Sequence, residues 1–349
     1  MVSSLQYAKT TAVALASFLI ASATSQTNVS AIGNVPAGVP VQVTNFGERP
    51  SWSRDGARLA FMSYSYGDAY ELDLATMQLS LLTGFPNAGF LRAQYLANGD
   101  LFLIGNRYFD ETFDVLGTRV NDQEMWVLPK GGSAAIPLNN SIYEGVAIST
   151  QSNLIAFAEN FQSTPDNFAF NESAIYTAEI VYDDDGNPSL SNKREVRRAM
   201  APECTLEPQD FRSNDTELVY NCYPQFQSGY GSEIFKVNLE TNETETIRAL
   251  YPEEFNESEG IFPDGEYILV ESSRDNPDTG DGSQHLIDIW KLKLEPPYDD
   301  MTRLTFFTND PPNKAGNPVV SPDGKTIAFA IGRVGTQAGQ GFGIMIMGV

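Results

Sequence analysis

Histidine is nearly missing from this chain: His285 is the only one in 349 residues. Metal sites built on imidazole need more than one, and Ser-His or Cys-His catalysis needs one beside a nucleophile. His285 lies in a polar stretch and reads as a surface residue. Cysteine is almost as scarce, with Cys204 and Cys222 alone. Basic residues are few: 22 Lys and Arg against 45 Asp and Glu leave a formal charge of −23, which sets aside nucleic acid and anionic membranes as partners. No Gly-rich phosphate loop precedes a helix, and no nucleophile elbow or metal-ligand cluster is present, so no cofactor or metal is expected. Beyond the first 25 residues no apolar run is long enough to span a membrane, and no helical periodicity of useful length appears.

The first 25 residues have the form of a signal peptide. Lys9 precedes an apolar run at residues 10–20, and Ala21-Ser22-Ala23 or Ala23-Thr24-Ser25 offers a small-residue cleavage site. Asn28, Asn139, Asn171, Asn214, Asn242 and Asn256 each head an Asn-x-Ser/Thr sequon. Six sequons behind a signal peptide point to a eukaryotic secretory route and an extracellular or luminal protein. There the even cysteine pair is expected to form a disulfide, two buried thiols being the alternative.

Residues 26–349 consist of one repeated unit. Pro50-Ser51-Trp52-Ser53-Arg54-Asp55-Gly56 precedes Leu59-Ala60-Phe61. Pro318-Val319-Val320-Ser321-Pro322-Asp323-Gly324 precedes Ile327-Ala328-Phe329, and Gly260-Ile261-Phe262-Pro263-Asp264-Gly265 precedes Tyr267-Ile268-Leu269. Three weaker copies begin at Tyr95, Ile148 and Phe211. Each is a strand, a tight polar turn and a second strand. A third strand follows, marked by Tyr70, Trp126, Tyr176, Phe235, Trp290 and Met345, and then a fourth, as at Gln78-Leu79-Ser80-Leu81. The period of about 45–55 residues is that of a propeller blade. The last copy stops at its third strand, while residues 39–46 supply a spare strand at the other end. An all-β, six-bladed propeller of four-stranded antiparallel blades is expected, in which the N-terminal strand completes the last blade and removes the exposed edges.

The Pro-x-Trp-Ser-x-Asp-Gly and Pro-x-x-Ser-Pro-Asp-Gly units resemble the TolB-type, WD40-like propeller repeat. In its signal segment, length, sequons and blade number the chain is similar to the fungal secretory propeller hetero-Diels–Alderases of tropolone–sesquiterpenoid pathways. That resemblance implies a cofactor-independent cycloaddition joining a tropolone quinone methide to a sesquiterpene alkene.

First strands of propeller blades line the central channel. The residue two before Pro50, followed around the repeats, is Glu48, Leu91, Glu144, Glu207, Glu257 and Gly316; the next is Arg49, Arg92, Gly145, Pro208, Ser258 and Asn317. Four acids and two arginines therefore converge on one mouth, with Gln94 and Asp210 just inside. Neighbouring carboxylates raise one another's pKa and arginines lower it, so the cluster has the means for acid–base work. The candidate catalytic residues are Glu144 and Glu207 as acids and Arg49 and Arg92 as oxygen-binding groups. The candidate substrate-binding residues are Glu48, Gln94, Asp210, Glu257, Trp52, Phe109, Phe168 and Tyr223. Several of these belong to long second-to-third-strand loops, rich in Phe and Tyr, which emerge at that same mouth and make it the expected ligand face. Two bland alternatives stand beside this: a water-filled channel whose polar groups satisfy one another, and a non-catalytic module that binds a protein or glycan through the loop face. Asp183-Asp184-Asp185-Gly186 lacks the distal Glu of a helix-loop-helix calcium site and reads as a solvated turn.

Overall fold

A computed structural model describes residues 35–108, 123–200, 203–224, 231–249, 251, 254–276, 286–337 and 339–349. The signal segment, Asn28, Phe109 and His285 lie outside the described residues. No α-helix occurs among those described, and none is long and apolar enough to cross a membrane.

The first strand, β1 (Val41–Gln42), stands apart from the blade that follows it. Blade one holds β2 (Glu48–Trp52), β3 (Arg58–Met62), β4 (Ala69–Asp73) and β5 (Gln78–Leu81); blade two holds β6 (Phe90–Tyr95), β7 (Leu101–Asn106), β8 (Gln123–Leu128) and β9 (Ile136–Ser141). Blade three holds β10 (Val146–Ile148), β11 (Leu154–Asn160), β12 (Ser173–Tyr182) and β13 (Pro188–Ala199); blade four holds β14 (Thr205–Arg212), β15 (Glu217–Tyr223), β16 (Glu233–Asn238) and β17 (Thr244–Arg248). Blade five holds β18 (Asn256–Ile261), β19 (Tyr267–Ser272), β20 (Asp288–Lys293) and β21 (Met301–Arg303); blade six holds β22 (Asn313–Val320), β23 (Thr326–Arg333) and β24 (Ile344–Gly348). Each blade is a four-stranded antiparallel sheet, and β1 is the outer strand of the sixth, beside β24. The chain is a six-bladed β-propeller closed by its own N-terminal strand.

Burial follows position in the blade. Second strands are covered on both faces and are almost continuously apolar, as at Leu59, Ala60, Phe61 and Met62. The outer strand β5 is exposed throughout. The core is divided into clusters that knit one blade to the next; one joins Leu91, Phe102 and Ile104 of blade two to Val146, Ile155 and Phe157 of blade three. Leu91 is thus a core residue between blades, and the expected ring of channel positions is broken there.

The closing strand is shorter than the expected span of residues 39–46. Pairing covers Val41–Gln42, and the Val43 N–H still donates to the Ile344 carbonyl at 2.8 Å. At Thr44 the hydroxyl takes over from the backbone: Thr44 Oγ1 accepts the Ile344 N–H at 2.9 Å and donates to the Phe46 carbonyl at 2.6 Å, which turns the chain out of the ladder.

The cysteines form the expected disulfide, tying the chain entering β14 to the far end of β15 with Cα atoms 5.4 Å apart. With a disulfide present and no membrane-crossing helix described, the fold is compatible with secretion. Of the sequons described, Asn139, Asn214 and Asn242 are exposed. Asn256 is fully buried, its amide oxygen accepting the Ser272 hydroxyl at 2.8 Å, and Asn171 is buried as well. The folded chain has no room for a glycan on Asn256, which corrects that expectation. In the Asp183 turn the carboxylate is occupied by the Asn187 and Asp185 backbone N–H groups, at 2.8 and 3.0 Å.

Candidate functional site

The inner strands do not pair evenly with their neighbours. Five of the six, β2, β6, β14, β18 and β22, carry one extra residue against the second strand. Such bulges bend a strand and re-aim its side chains. Arg49 and Asn317 sit in two of these bulges with φ of 53° and 52°, a left-handed conformation uncommon outside glycine. The bulges turn long charged side chains into the channel, where apolar packing would otherwise be the rule.

At the end of the channel nearest the long loops, two ion pairs cross between blades. Arg49 Nη2 lies 3.2 Å from Glu144 Oε1, with Glu48 3.7 Å from Arg49 Nε, and Arg92 Nη2 lies 3.5 Å from Glu207 Oε1. All five side chains are buried. Gly145 makes the second pair possible, since a Cβ there would stand 2.1 Å from Glu207 Cγ. Burial works against the Arg92 charge, yet Glu207, Glu259, Glu144 and Glu257 together hold its pKa above the ordinary value.

Blade five adds three further acids, Glu257, Glu259 and Glu271. Glu257 and Glu271 are directly paired across β18 and β19. Glu271 accepts the Asn317 N–H. One buried oxygen of Glu259 meets no N–H or hydroxyl donor. Burial first, then the charges of Glu257 and Glu271, hold Glu259 well above the usual carboxylate range. Burial and Glu271 push Glu257 up to about 7, against the Tyr223 hydrogen bond that lowers it. Among the described residues Lys314 also faces them, pushed below its ordinary pKa by burial, with Glu271 and Glu257 opposing.

Beyond this layer, toward the tight turns between first and second strands, the channel widens into a cavity of about 590 Å³. That size suits a small organic ligand. Its inner end is Arg92 and Glu259; Gln94, Gln209 and Asp210 stand further along, and Trp52, Phe211 and Phe262 give apolar wall. Buried polar atoms without a hydrogen-bond partner recur here: Arg92 Nε, Gln94 Oε1 and Gln209 Nε2. Burial pushes Asp210 up to about 7, although the Ile261 and Phe211 N–H groups donate to it at 2.8 and 2.9 Å and Arg54 adds a nearby positive charge. Arg54 itself spans three blades, donating to the Tyr95 and Ser149 carbonyls at 2.6 and 3.2 Å.

Of the residues singled out in the sequence, Arg92, Gln94, Asp210 and Trp52 line the cavity. Glu48, Arg49, Glu144, Glu207 and Glu257 lie outside its wall, in the other half of the channel. Phe168 is buried beneath the Arg198 guanidinium, 4.6 Å from its ring centre, and packs its own loop; Tyr223 stands near enough to Glu257 to lower its pKa. The cavity therefore opens on the turn face, opposite the expected one, because the turns are too short to fold over the channel. Glu259 and Gln209 went unnoticed although the repeat marks them. They occupy the position of Pro50 and Pro318, where the other two blades carry Ala93 and Val146. Glu271 sits on a second strand, a position that the repeat does not mark as lining the channel. Among the described residues no group of three or more His, Cys, Asp or Glu is arranged to hold a metal ion.

No protein-family model matches the chain, and no curated protein matches it. Solved structures do. The chain is similar to the calcium-binding protein regucalcin of Agrobacterium tumefaciens, with a TM-score of 0.51 and 11% identity over 90% of this chain and 92% of that one. It is also similar to an oligogalacturonate lyase in complex with manganese, with a TM-score of 0.49 and 14% identity over 88% and 79%. A putative TolB of Agrobacterium tumefaciens gives 0.41 and 16% over 84% and 72%. At these identities the likeness concerns the fold, that of TolB and other propeller proteins, and enzymes are among the proteins that share it.

Proposed function

We propose that this protein is a secreted, cofactor-independent enzyme that binds small organic substrates in the turn-face cavity and applies acid chemistry from its inner end. The observation that carries the reading is the meeting of Glu259, a buried carboxyl held well above the usual carboxylate range, with the Arg92 guanidinium at the end of a cavity with aromatic wall. A neutral carboxylic acid beside a fixed cation is an arrangement for protonating a leaving group while holding the oxygens of the same molecule.

The reaction that fits this equipment and the resemblance in overall design is an intermolecular hetero-Diels–Alder addition. Glu259 gives its proton to the hydroxyl of a hydroxymethyl tropolone. The C–O bond breaks, water departs, and the ring hydroxyl passes its proton to the Asp210 carboxylate, leaving a neutral quinone methide. A sesquiterpene alkene then adds across it, one C–C and one C–O bond forming with no proton or electron left over. Water returns the proton from Asp210 to Glu259. Arg92 holds the tropolone oxygens, and Trp52, Phe211 and Phe262 align the alkene. Orientation of two partners alone lowers a barrier by roughly 7–11 kcal/mol in favourable cases. In this reading the acid is Glu259 in place of Glu144 or Glu207, which are committed to Arg49 and Arg92.

The test is incubation of the purified protein with a hydroxymethyl tropolone and a macrocyclic sesquiterpene triene, the adduct being measured by mass spectrometry. Wild-type protein accelerates adduct formation, and Glu259→Gln loses roughly 10²-fold or more of that rate. No acceleration over buffer overturns the cycloaddition. Failure of tropolone to change Trp52 fluorescence overturns the cavity as a small-molecule site. A second reading, binding of a protein or glycan at the loop face, is favoured by Tyr108 and Phe170, which are 77% and 73% exposed there. It predicts that Tyr108→Ala abolishes partner capture and leaves tropolone binding intact.

A further inference from the structure

We infer that Gln94 and Gln209 select the occupant of the turn-face cavity, and that this occupant is a neutral molecule carrying a hydroxyl and a carbonyl oxygen on an otherwise apolar body. The inference rests on the reading of that cavity as a small-molecule site and names the class of substrate it takes.

The repeat shows that neither glutamine is needed to build a blade. Gln209 stands where four of the other blades carry Pro50, Ala93, Val146 and Pro318, and Gln94 stands where three of them carry Ala147, Gly260 and Val319. A polar side chain at these places is an addition to the fold. Gln209 is the extra residue of the β14 bulge: Pro208 pairs with Tyr220 and Asp210 with Val219, so Gln209 has no residue opposite it on β15. A bulge residue is re-aimed out of the regular alternation of the strand. Gln94 is paired in the ordinary way with Phe102 and lies two residues beyond Arg92 on β6, so the two side chains leave that strand on one face. Both glutamines line the cavity.

Covered polar atoms in a folded protein are nearly always hydrogen-bonded. Among the described residues, Arg92 Nε, Gln209 Nε2 and Gln94 Oε1 are buried without a partner, and all three belong to this one wall. The first two are donors and the third is an acceptor. A phosphate or sulfonate only accepts, and would leave Gln94 unanswered. An ammonium group only donates, and would leave Arg92 and Gln209 unanswered. A hydrocarbon answers none of them. A carbonyl oxygen takes the two donors, and a hydroxyl on the same molecule donates to Gln94. The last torsion of a glutamine is broad, so each amide can turn from the wall to meet such a ligand. The remaining wall limits the body of the molecule. Blades six and one, side by side, present Val319, Val320 and Trp52, and blade three presents Val146 and Ile148. A sugar, polar on every edge, would press hydroxyls against these residues, and a flat unsaturated ring would not.

Calorimetric titration of the full chain at about pH 5, where tropolone keeps its hydroxyl proton, tests this. The probes are tropolone, tropone (which lacks the hydroxyl), benzenesulfonate and methyl β-galactoside. Wild type binds tropolone, and binds each of the other three roughly 10-fold or more less tightly. Gln94→Leu brings tropolone down to the level of tropone and leaves tropone unchanged, because only the hydroxyl uses that acceptor. Gln209→Leu weakens both ketones by a similar factor, about 5- to 10-fold, and keeps their ratio. A wild-type ratio of tropolone to tropone in Gln94→Leu overturns the role of Gln94, and unchanged affinity for both ketones in Gln209→Leu overturns that of Gln209. Benzenesulfonate or galactoside bound as tightly as tropolone overturns the class. If a leucine variant does not fold, Gln94→Asn and Gln209→Asn draw the amide back by one carbon and are read against the same outcomes. Wild-type protein that takes up none of the probes overturns the cavity as a small-molecule site, and this inference with it. Tropolone binding that is the same in both variants as in wild type overturns this inference alone. Selective binding without cycloadduct condemns the reaction proposed above and leaves the selectivity standing.

Discussion

At Gly145 a single methyl group decides whether Glu207 can reach Arg92. The Cβ of an alanine would stand 2.1 Å from Glu207 Cγ, with no slack in a side chain that is 5% exposed. Gly145→Ala is therefore expected to destabilise the fold by about 1–3 kcal/mol, as overpacked cores do, measured by denaturant unfolding against wild type. Asp210 gives a prediction in pH. Its folded pKa of about 7 lies above the ordinary 3.8, so between those values the unfolded chain has released a proton that the folded chain still holds. Stability falls as pH rises through that window and is level in this respect above it. Asp210→Asn should flatten part of the fall between pH 4 and pH 7 in a series of thermal midpoints; a slope equal to wild type would show that Asp210 ionises in the fold as it does in water. Single residues were the least legible level of the sequence. Arg92, Gln94 and Asp210 could be placed by aligning repeats, because the inner strand is the one that begins each unit. Glu259 stands in the same alignment, but the carboxyls that raise its pKa include Glu271, which belongs to another strand and enters the channel through its pairing with Glu257.

Strands, unlike bulges, declare themselves by alternation and turn residues. The three Asp-Gly turns, the three weaker polar turns and the strands around them could be read directly, because a two-residue period and a tight polar turn are local properties. The extra residue in five inner strands could not, since a bulge is a relation between two strands and leaves no mark in one of them. This matters for function: without its bulge, Arg49 would lack the left-handed backbone that carries it toward Glu144. The β14–β15 hairpin carries the disulfide, closing a loop with a sequence separation of 18. Replacing both cysteines by serine should lower unfolding stability by about 3 kcal/mol, the loop-entropy expectation for that length, and reducing agent should reproduce the loss in wild type. No effect from either would mean that the two strands are held fully by their ladder and by the cluster around Leu206 and Tyr220.

For the ring as a whole, closure was legible because the ends of the chain carry complementary deficits, three strands at one end and a spare strand at the other. The open face was not, because the cavity is assembled from side chains of all six blades and its mouth is decided by which turns fail to cover it. A chain lacking residues 35–46 should leave β24 as an open edge, lose cooperative thermal unfolding and self-associate, as seen by calorimetry and light scattering; a monomeric, cooperative product would show that β1 is dispensable. The pairing of Val41 with Ile346 also sets an order of events. β1 is made about 300 residues ahead of its partner. At the usual pace of synthesis that is a wait of roughly 15–60 s, during which five blades can form but the ring cannot lock. The nascent protein therefore passes through an open, C-shaped stage with its channel residues bathed in solvent on every side. The buried carboxyls of blade five acquire their setting only when the last strand slides in beside the first.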